Sequence, residues 1–258
     1  MKKRVTKTSP EANPATTLPS LAPQSPITLS IDIGGTGIKM MALDATGKPV
    51  SDRIRALTPP DPTPERVLAV LDDLKAQLPP AQSEFDRVSV GFPGVVKHGV
   101  TLAAHNLSPK WAGFPLQEAL ADHWKKMVRV ANDASVQGYG ATYGKGVELC
   151  LTLGTGLGSS LFTEGHLCPG LELAHHPWRK GKTYEDFLGL RGFEKYGKKR
   201  WNELVKKAID QTAQLFNWDY LHLGGGNARH VKFELAHNIR IVPNEEGLLG
   251  GVALWRNE

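Results

Sequence analysis

Two glycine-rich hairpins, half a chain apart, constrain the fold of this sequence more than any other feature. The segment IDIGGTGIKMMAL at 31–43 has a counterpart about 120 residues later, LTLGTGLGSSLF at 151–162. Each combines an apolar strand, a Gly-Thr-Gly turn and a second apolar strand. Two such hairpins predict two related domains that face each other across a cleft. The alternative is that any two glycine-rich hairpins look alike, because turns specify function loosely.

Length, charge and cysteine content exclude several classes of protein. The 258 residues suit two modest domains or one large one, and no apolar run approaches the ~20 residues of a membrane-spanning helix, so we expect no membrane partner. The net charge of +5 favours anionic partners, but no helix-turn-helix, RNP-type strand or zinc-finger pattern indicates nucleic acid. Cys150 and Cys168 form no CxxC pair, which favours neither disulfides nor a cysteine zinc site and predicts a reducing, cytoplasmic setting.

Residues 1–26 are rich in Pro, Ser and Thr without apolar periodicity, and they predict a disordered tail. A role in organelle targeting is the alternative, because acidic residues are scarce there. From Ile27 onward strand and helix patterns alternate, which predicts mixed sheets faced by helices. The predicted strands are 27–33, 38–44, 50–57, 87–92, 127–131, 147–153, 157–163, 219–223 and 239–242. The predicted helices are 64–77, 115–125, 134–143, 183–196, 199–216 and 247–256.

The first hairpin carries residue types suited to a metal-bound phosphate chain. Its glycines leave backbone N–H groups free to approach an oligophosphate, and its threonine and lysine add a hydroxyl donor and a positive charge. The predicted phosphate or nucleotide ligands here are Gly34, Gly35, Thr36, Gly37 and Lys39. Asp32 repels phosphate, so it suits Mg²⁺, reached through water. No helix opens with GK[ST], so this is not a Walker loop, and a tight turn with an Asx bond is the alternative.

Two later glycine segments extend this interpretation. The second hairpin offers backbone donors from Gly154, Thr155, Gly156 and Gly158, and the stretch LHLGGGNA at 221–228 offers Gly224, Gly225, Gly226 and Asn227 after a strand and before a predicted helix. Two loops converging on one phosphoryl group would supply most of what phosphoryl transfer requires. A plain strand-to-helix turn is the alternative for the third segment.

Two polar motifs indicate an acceptor site. Asn132 and Asp133 follow the strand MVRVA and begin a helix, where a helix N-cap is the ordinary interpretation and a general base the functional one. In LELAHH, Glu172 and His175 are three residues apart and would be neighbours on a helix. With His176 they suggest a metal site, but a third ligand of suitable spacing is missing.

Eight motifs occur in one order from residue 27 to the end: SIDIGGTGIK, GFPGVV, NLSPKW, NDAS, LTLGTGLG, LELAHHP, LGGGNA and NEEGLLGGVAL. In this order the chain resembles the ROK family of the actin/hexokinase superfamily, and its polyphosphate-dependent branch in particular. The resemblance implies an α/β, two-domain actin-like ATPase (ribonuclease H-like) fold with an interdomain cleft. It also implies phosphoryl transfer from inorganic polyphosphate or ATP to the 6-hydroxyl of glucose, or of mannose, with Mg²⁺. The alternatives are an ATP-only ROK glucokinase and a non-catalytic ROK-type sugar sensor or regulator.

The resemblance also assigns roles to individual residues. Asp133 is the implied catalytic base, and the implied sugar ligands are Gly94, Asn106, Asn132, Asp133, Glu172 and His175. Gly94 would leave room for the sugar ring. Ala174 replaces the glycine usual in this motif. The replacement alters the fine shape of the implied sugar pocket and leaves open whether the substrate is glucose or mannose. Many family members have a cysteine-rich zinc loop after this histidine, but the segment HPWRKGKTYEDF has no cysteine, so no zinc is expected.

Domain organisation and charge complete the set of expectations. The predicted lobes are 27–133, joined by the C-terminal helix 246–258, and 134–245, in a monomer or a homodimer. Trp111 is predicted as a core residue rather than a sugar-stacking one. Basic runs within one predicted helical region suggest either a solvated face or a track for polyphosphate. The candidate track residues are Lys180, Lys182, Lys198, Lys199 and Arg200, followed by Lys206 and Lys207.

Overall fold

The computed structural model describes residues 24–79, 84–104, 107–168, 170–243 and 246–255, without the side chains of 246–248. Most of the predicted disordered tail, residues 1–23, lies outside this description, and so does the predicted sugar ligand Asn106. Within the described ranges, every helix is too short or too polar to span a lipid bilayer.

The first half of the chain builds a five-stranded mixed sheet. Its strands and the adjoining hairpin are β1 (Thr28–Ile33), β2 (Gly37–Leu43), β3 (Ile54–Leu57), β4 (Arg87–Phe92), the hairpin β5 (Val95–Lys97) and β6 (Val100–Ala103), and β7 (Met127–Asn132). The sheet order is β3-β2-β1-β4-β7. The β1–β2 pair is antiparallel, whereas β1, β4 and β7 are parallel. The carboxyl ends of these three strands therefore lie side by side at one edge.

The second half repeats this plan. Its strands are β8 (Val147–Leu153), β9 (Leu157–Thr163), β10 (His166–Leu167), the short pair β11 (Pro177–Arg179) and β12 (Lys182–Thr183), β13 (Tyr220–Gly224) and β14 (Ile239–Ile241). The order is β10-β9-β8-β13-β14, with β8–β9 antiparallel and β8, β13 and β14 parallel. The two hairpins that resemble each other in sequence occupy equivalent places in the two sheets.

Among the residues that the structure describes, six α-helices accompany the sheets: α1 (Pro64–Ala76), α2 (Leu116–Trp124), α3 (Asp133–Ala141), α4 (Tyr184–Leu188), α5 (Leu190–Phe216) and α6 (Glu246–Ala253). Thr63 caps α1, and its side chain accepts a hydrogen bond from the Arg66 N–H at 3.5 Å. The predicted helix 183–196 is interrupted at Gly189, whose N–H closes α4 on the Glu185 carbonyl at 2.9 Å. A second interruption, at Gly197 with φ of +71°, kinks α5 between the two predicted helices.

Two predictions of helical context are wrong. The basic run at 179–182 forms the β11–β12 turn, where Lys180 and Gly181 have φ of +52° and +68°. Lys180 and Lys182 therefore do not share a helix with the later basic residues. The third glycine segment leads into a single 3₁₀ turn, Ala228–His230, instead of the predicted helix. Elements this short take their conformation from tertiary contacts, which periodicity cannot reveal.

Each sheet has its own hydrophobic core. In the first, Ile38, Met40 and Ala42 of β2 face the side covered by α1, whereas Met41 and Leu43 face α6, as the alternation of a strand requires. Trp111 is fully buried in this core against Phe92, with ring centroids 4.9 Å apart, so its prediction as a core residue is confirmed.

The second core centres on Trp201 of α5. This side chain is fully buried, and its Nε1–H donates to the Leu188 carbonyl at 3.0 Å. Truncating a buried tryptophan to alanine typically costs about 3–5 kcal/mol of stability. The interaction joins α5 to α4 and so positions the helices behind the second sheet.

Helices α3 and α6 cross in close contact between the sheets. A Cβ placed on Gly250 would lie 1.7 Å from the Val136 carbonyl oxygen, so only glycine permits this crossing. The neighbouring Gly251 carbonyl accepts a hydrogen bond from Ser89 Oγ in β4 at 2.6 Å. Helix α6 thus contacts the first sheet on one side and α3 on the other. The lobe boundaries assigned from the sequence remain a prediction.

Candidate active site

A cavity of about 340 Å³ lies where the carboxyl ends of the parallel strands of both sheets meet. In the first sheet, Asp32 pairs with Gly91, and Phe92 pairs with Asn132. This register places Asp32 and the Asn132–Asp133 pair at neighbouring strand ends. In the second sheet, Thr152 pairs with Gly224, so the second and third glycine loops also begin side by side. Two sets of predicted residues, distant in sequence, therefore line one cavity.

The first loop presents two unengaged backbone donors. Gly34 N–H closes the turn on the Gly37 carbonyl at 3.0 Å, and Thr58 Oγ1 donates to the Gly34 carbonyl at 2.5 Å. The N–H groups of Gly35 and Thr36 have no hydrogen-bond partner among the described residues, and both residues are exposed in the cavity. Gly37 is not among the described residues that line the cavity. A Cβ there would lie 2.8 Å from Arg55 Nε in β3. A side chain at position 37 would therefore have to displace the Arg55 guanidinium.

Asp32 and Lys39 form an ion pair at the mouth of the first loop. Lys39 Nζ donates to Asp32 Oδ2 at 2.6 Å, and both side chains are about one third exposed. No group of three or more His, Cys, Asp or Glu side chains that could hold a metal occurs within the described part of the chain. A Mg²⁺ ion typically binds one or two carboxylates and completes its shell with water and substrate phosphates. Asp32, as a single carboxylate that would reach the ion through water, fits that pattern.

The second loop resembles the first in its hydrogen bonding. Gly154 N–H closes on the Gly156 carbonyl at 3.0 Å, and the N–H groups of Thr155 and Gly156 have no partner among the described residues. Glu185 of α4 accepts a hydrogen bond from Leu157 N–H at 3.0 Å, and a Cβ on Gly156 would meet the same carboxylate at 2.3 Å. A side chain at position 156 would therefore displace the Glu185 carboxylate from its contact with Leu157 N–H.

The third loop is braced against the second. Gly225 has φ of +85°, and a Cβ there would lie 2.4 Å from the Leu153 carbonyl oxygen. Asn227 Nδ2 donates to the Gly154 carbonyl at 3.1 Å. Gly225 and Gly226 line the cavity, but Gly224 and Asn227 are absent from its described lining. The structure thus places Asn227 between two loops, where it fixes their separation.

Asp133 is the first residue of α3 and borders the cavity beside the second loop. Asn132 caps the helix, accepting from Ala134 N–H at 2.9 Å and Ser135 N–H at 3.3 Å, so Asp133 is not the cap. Asn132 Nδ2 donates to the Gly94 carbonyl at 3.0 Å, which leaves its amide only one unassigned hydrogen. A Cβ on Gly158 would lie 2.7 Å from the Ala134 Cβ, which shows how closely β9 packs on this helix start.

Gly94 lines the cavity for a different reason from the one expected. A Cβ there would lie 1.9 Å from the Ala103 carbonyl oxygen, so glycine is required by packing against β6. We predicted that Gly94 leaves room for a sugar ring, but the contact with Ala103 already explains why this position is glycine.

The environment of Asp133 favours its neutral form. Burial of the carboxyl raises its pKa to about 7, and the negative charges of Asp32 and Glu172 add to this effect. The Ala134 N–H, at 2.7 Å from Oδ1, and the Lys39 ammonium oppose it. A carboxyl poised near neutral pH can accept a proton from a substrate hydroxyl and release it again.

Glu172 and His175 border the same cavity on one 3₁₀ turn, Leu173–His175, with Glu172 just before it. The turn closes through His175 N–H to the Glu172 carbonyl at 3.3 Å. Ser159 of β9 holds the segment, donating from Oγ to the Leu171 carbonyl at 2.7 Å and accepting from Leu173 N–H at 3.3 Å. These contacts hold the backbone of this segment at the cavity, where the Glu172 carboxylate is close enough to act on the pKa of Asp133.

Sequence reasoning missed several residues that line the cavity: Arg53, Gln137, Ser159 and Glu185. Gln137 lies one helical turn after Asp133, a spacing that could have indicated a shared face. Glu185 and Ser159 are common polar residues without a motif of their own, so no local signal separates them from surface positions. None of the candidate track residues Lys180, Lys182, Lys198, Lys199 and Arg200 is in the described lining of the cavity.

Comparisons with known proteins agree with this geometry. The ROK family model matches residues 28–177. The chain is 35% identical over 209 residues to a polyphosphate glucokinase of Mycobacterium tuberculosis (strain CDC 1551 / Oshkosh), covering 77% of each protein. It superposes on the inorganic polyphosphate/ATP-glucomannokinase from Arthrobacter sp. strain KM with a TM-score of 0.78 and 30% identity, over 89% of this chain and 98% of that one. A ROK family glucokinase from Streptomyces griseus, solved with glucose and AMPPNP, shares the fold at a TM-score of 0.71 and 21% identity, over 90% and 100% of the two chains. The predicted α/β actin-like fold with two lobes is confirmed.

Proposed function

The chain belongs to the ROK family, and we propose that it is a sugar kinase that transfers a phosphoryl group from inorganic polyphosphate or ATP to the 6-hydroxyl of glucose. The names of the mycobacterial glucokinase and the Arthrobacter glucomannokinase support the substrate class. The observation that carries the proposal is the position of Asp133, a carboxyl with a pKa of about 7 that borders a cavity lined by two opposed glycine loops.

The proposed reaction begins with glucose between Asp133 and the Glu172–His175 turn. The Asp133 carboxylate accepts the proton of the 6-hydroxyl while the hydroxyl oxygen attacks the terminal phosphorus of the donor. A new oxygen–phosphorus bond forms as the bridging oxygen–phosphorus bond breaks, and the bridging oxygen leaves with its electron pair on the shortened polyphosphate or on ADP. The products are glucose 6-phosphate and that shortened donor. Asp133 then releases its proton to solvent.

The glycine loops stabilise the charge that develops on the transferred group. Thr155 and Gly156 on one side, and Gly35 and Thr36 on the other, would donate backbone N–H groups to its oxygens. Lys39 adds a positive charge on the side of the first loop. Mg²⁺, held through Asp32 and water, would neutralise donor phosphate charge when bound. Approach of the two lobes would exclude water, which competes with the sugar as acceptor.

Donor and acceptor ranges extend this proposal. We propose polyphosphate as a donor alongside ATP, and mannose as a second acceptor, because the Arthrobacter protein is named a polyphosphate/ATP-glucomannokinase. A cytoplasmic location and a monomeric or homodimeric state remain predictions.

A coupled assay tests the function directly. Purified protein is incubated with Mg²⁺, glucose or mannose, and either ATP or polyphosphate, and formation of the 6-phosphate is followed through its dehydrogenase-linked reduction of a nicotinamide. The proposal expects turnover of glucose with at least one donor. If the protein binds sugar but shows no turnover with every combination of donor and sugar, it is a sensor and the proposal is wrong.

A further inference from the structure

We propose that a cationic cluster beside the third glycine loop binds the trailing part of linear polyphosphate while its terminal phosphoryl group reacts in the cavity. This cluster, the loop-3 cluster, consists of the cations Lys198, Arg229 and Lys232 together with the neutral imidazole of His230. The inference rests on the proposed function, in its use of polyphosphate as donor. It replaces the broader track suggested by the basic runs in the sequence.

The loop-3 cluster continues directly from the cavity wall. Gly225 and Gly226 line the cavity, and the 3₁₀ turn Ala228–His230 follows after a single residue. Arg229 and Lys232 are exposed, and His230 is half-buried. A donor chain that leaves the cavity over the third loop would therefore meet these side chains next.

Asn202 holds the two parts of the loop-3 cluster together. Its Nδ2 donates to the Lys198 carbonyl at 2.8 Å and to the His230 carbonyl at 3.0 Å, while its Oδ1 accepts from Lys232 N–H at 2.7 Å. The Phe193 ring stacks on the His230 ring, with centroids 4.9 Å apart. These contacts fix a helix face and a loop that are distant in sequence, so the cations lie on an ordered surface.

The cations of the loop-3 cluster lack counter-ions. Among the described residues, no carboxylate oxygen lies within 4 Å of the side-chain nitrogens of Lys198, Arg229 or Lys232, whereas elsewhere on α5 Arg200 pairs with Glu203 and Lys206 with Asp210. Arg229 Nε donates to His230 Nε2 at 3.3 Å, so this imidazole nitrogen carries no proton. Partial burial and the charges of Arg229, Lys198 and Lys232 lower the pKa of His230. Like charges gathered without carboxylates indicate a surface that binds a polyanion.

Helix geometry decides which basic residues of α5 take part. Successive residues turn by about 100°, so Lys199 and Arg200 point progressively away from Lys198. Lys207 lies nine residues after Lys198, which places it on the opposite face of the helix. Lys198 lies about 40° around the helix axis from Asn202, one turn further on, and its carbonyl is the one on α5 that the Asn202 side chain contacts.

The charge distribution favours polyphosphate over a nucleotide as the occupant. In ATP the negative charge resides on the triphosphate, which the three glycine loops would already contact, and the nucleoside beyond it is neutral. Linear polyphosphate carries a negative charge on every unit, so its trailing part gains from each additional cation through release of counter-ions.

The test compares donors of different length. The triple variant Lys198→Gln/Arg229→Gln/Lys232→Gln is assayed with long-chain polyphosphate of several tens of units, with tripolyphosphate and with ATP. Lys207→Gln is the matched control, since it removes a lysine from the opposite face of the same helix. We expect KM for the long chain to rise about tenfold, and the slope of log affinity against log salt to decrease by roughly two, in the triple variant alone. KM for tripolyphosphate and for ATP should not change.

Binding of long-chain polyphosphate in the absence of glucose, measured by titration calorimetry, separates this inference from the proposed function. Weaker binding by the triple variant than by Lys207→Gln supports the loop-3 cluster even if turnover with glucose fails. Equal binding by the two variants, no binding by the unmodified protein, or an equal loss with all three donors would overturn it.

Discussion

Lys39 and Asp32 are directly opposed across the β1–β2 hairpin, and the Lys39 ammonium donates to the Asp32 carboxylate at 2.6 Å. The pair places one positive and one negative charge at the entrance to the first glycine loop. Both charges act on Asp133, whose pKa is raised by Asp32 and lowered by Lys39. In the proposed mechanism the hairpin would therefore affect proton transfer as well as donor binding.

Replacing Lys39 should shift the pH dependence of the reaction. Lys39→Gln removes the cation that opposes protonation of Asp133, so the acidic limb of kcat/KM should move to higher pH. Loss of a phosphate contact should also lower kcat/KM at neutral pH about tenfold to a hundredfold. The measurement is a pH–rate profile with saturating Mg²⁺. Lys39→Arg keeps the charge, so the acidic limb of its kcat/KM profile should stay at the wild-type pH. An acidic limb at the wild-type pH in Lys39→Gln would contradict the effect of the Lys39 charge on Asp133.

Replacing Asp133 should stabilise the fold at high pH. The carboxyl has a pKa of about 7 when folded and an ordinary value of 3.8, so the folded protein retains a proton that the unfolded chain has lost between these values. The wild-type protein therefore loses stability as pH rises through this window. Asp133→Asn keeps the oxygen that accepts from Ala134 N–H and removes the penalty, which should amount to a gain on the order of 2–4 kcal/mol above pH ~7.

Denaturant titrations at pH ~4 and pH ~8, with a chelator present, check this expectation for Asp133→Asn. The two proteins should be nearly equal in stability at the lower pH and differ at the higher one. A difference that does not depend on pH would show that the carboxyl titrates normally in the folded state.

The crossing of α3 and α6 should tolerate no side chain at Gly250. A methyl group there would overlap the Val136 carbonyl, so Gly250→Ala should force the helices apart and cost about 1–3 kcal/mol. Gly170→Ala is the control, because a Cβ at that exposed glycine meets nothing within 4 Å. The measurement is the melting temperature of both variants, which should be lower for Gly250→Ala. Equal melting temperatures would mean that α3 and α6 leave room for a methyl group at their crossing.

Ser159 should be needed for sugar affinity, because this strand residue supports the turn that we propose binds the sugar. Ser159→Ala leaves the Leu171 carbonyl and the Leu173 N–H without their partner and loosens the segment that carries Glu172. A lost buried hydrogen bond of this kind costs about 1–3 kcal/mol, so KM for glucose should rise about tenfold while kcat changes less. Thr163→Ala, near the exposed end of the same strand, should leave both constants unchanged. A fall in kcat with normal KM would assign Ser159 to a different role.

Much of the fold could be predicted from the sequence, because its long elements obey strong patterns. Each strand and helix range predicted from periodicity has a counterpart in the structure, and Gly197 interrupts α5 between two of the predicted helices, whereas the helix expected after the third glycine segment is a 3₁₀ turn. The short elements were not predicted, since the β5–β6 and β11–β12 pairs and the 3₁₀ turns depend on tertiary contacts. For the same reason the basic run at 179–182 was wrongly placed in a helix.

The predictability of the site has a similar limit. The glycine loops, Asp32, Asp133, Glu172 and His175 were all identified from motifs, and the described structure places them around one cavity. Motifs could not distinguish glycines that face the cavity from those that pack behind it, such as Gly37 and Gly224. Nor could they reveal Ser159 and Glu185, whose importance lies in hydrogen bonds to backbone atoms remote in sequence.

The central claim is that Asp133 takes the proton from the sugar hydroxyl, and one variant tests it most directly. Asp133→Asn is compared with the wild-type protein for turnover of glucose by a coupled assay and for glucose affinity by calorimetry, with the same donor and Mg²⁺. We expect kcat to fall by at least about a hundredfold while the dissociation constant for glucose changes little. A variant that retains near-normal kcat would contradict the assignment of Asp133 as the base.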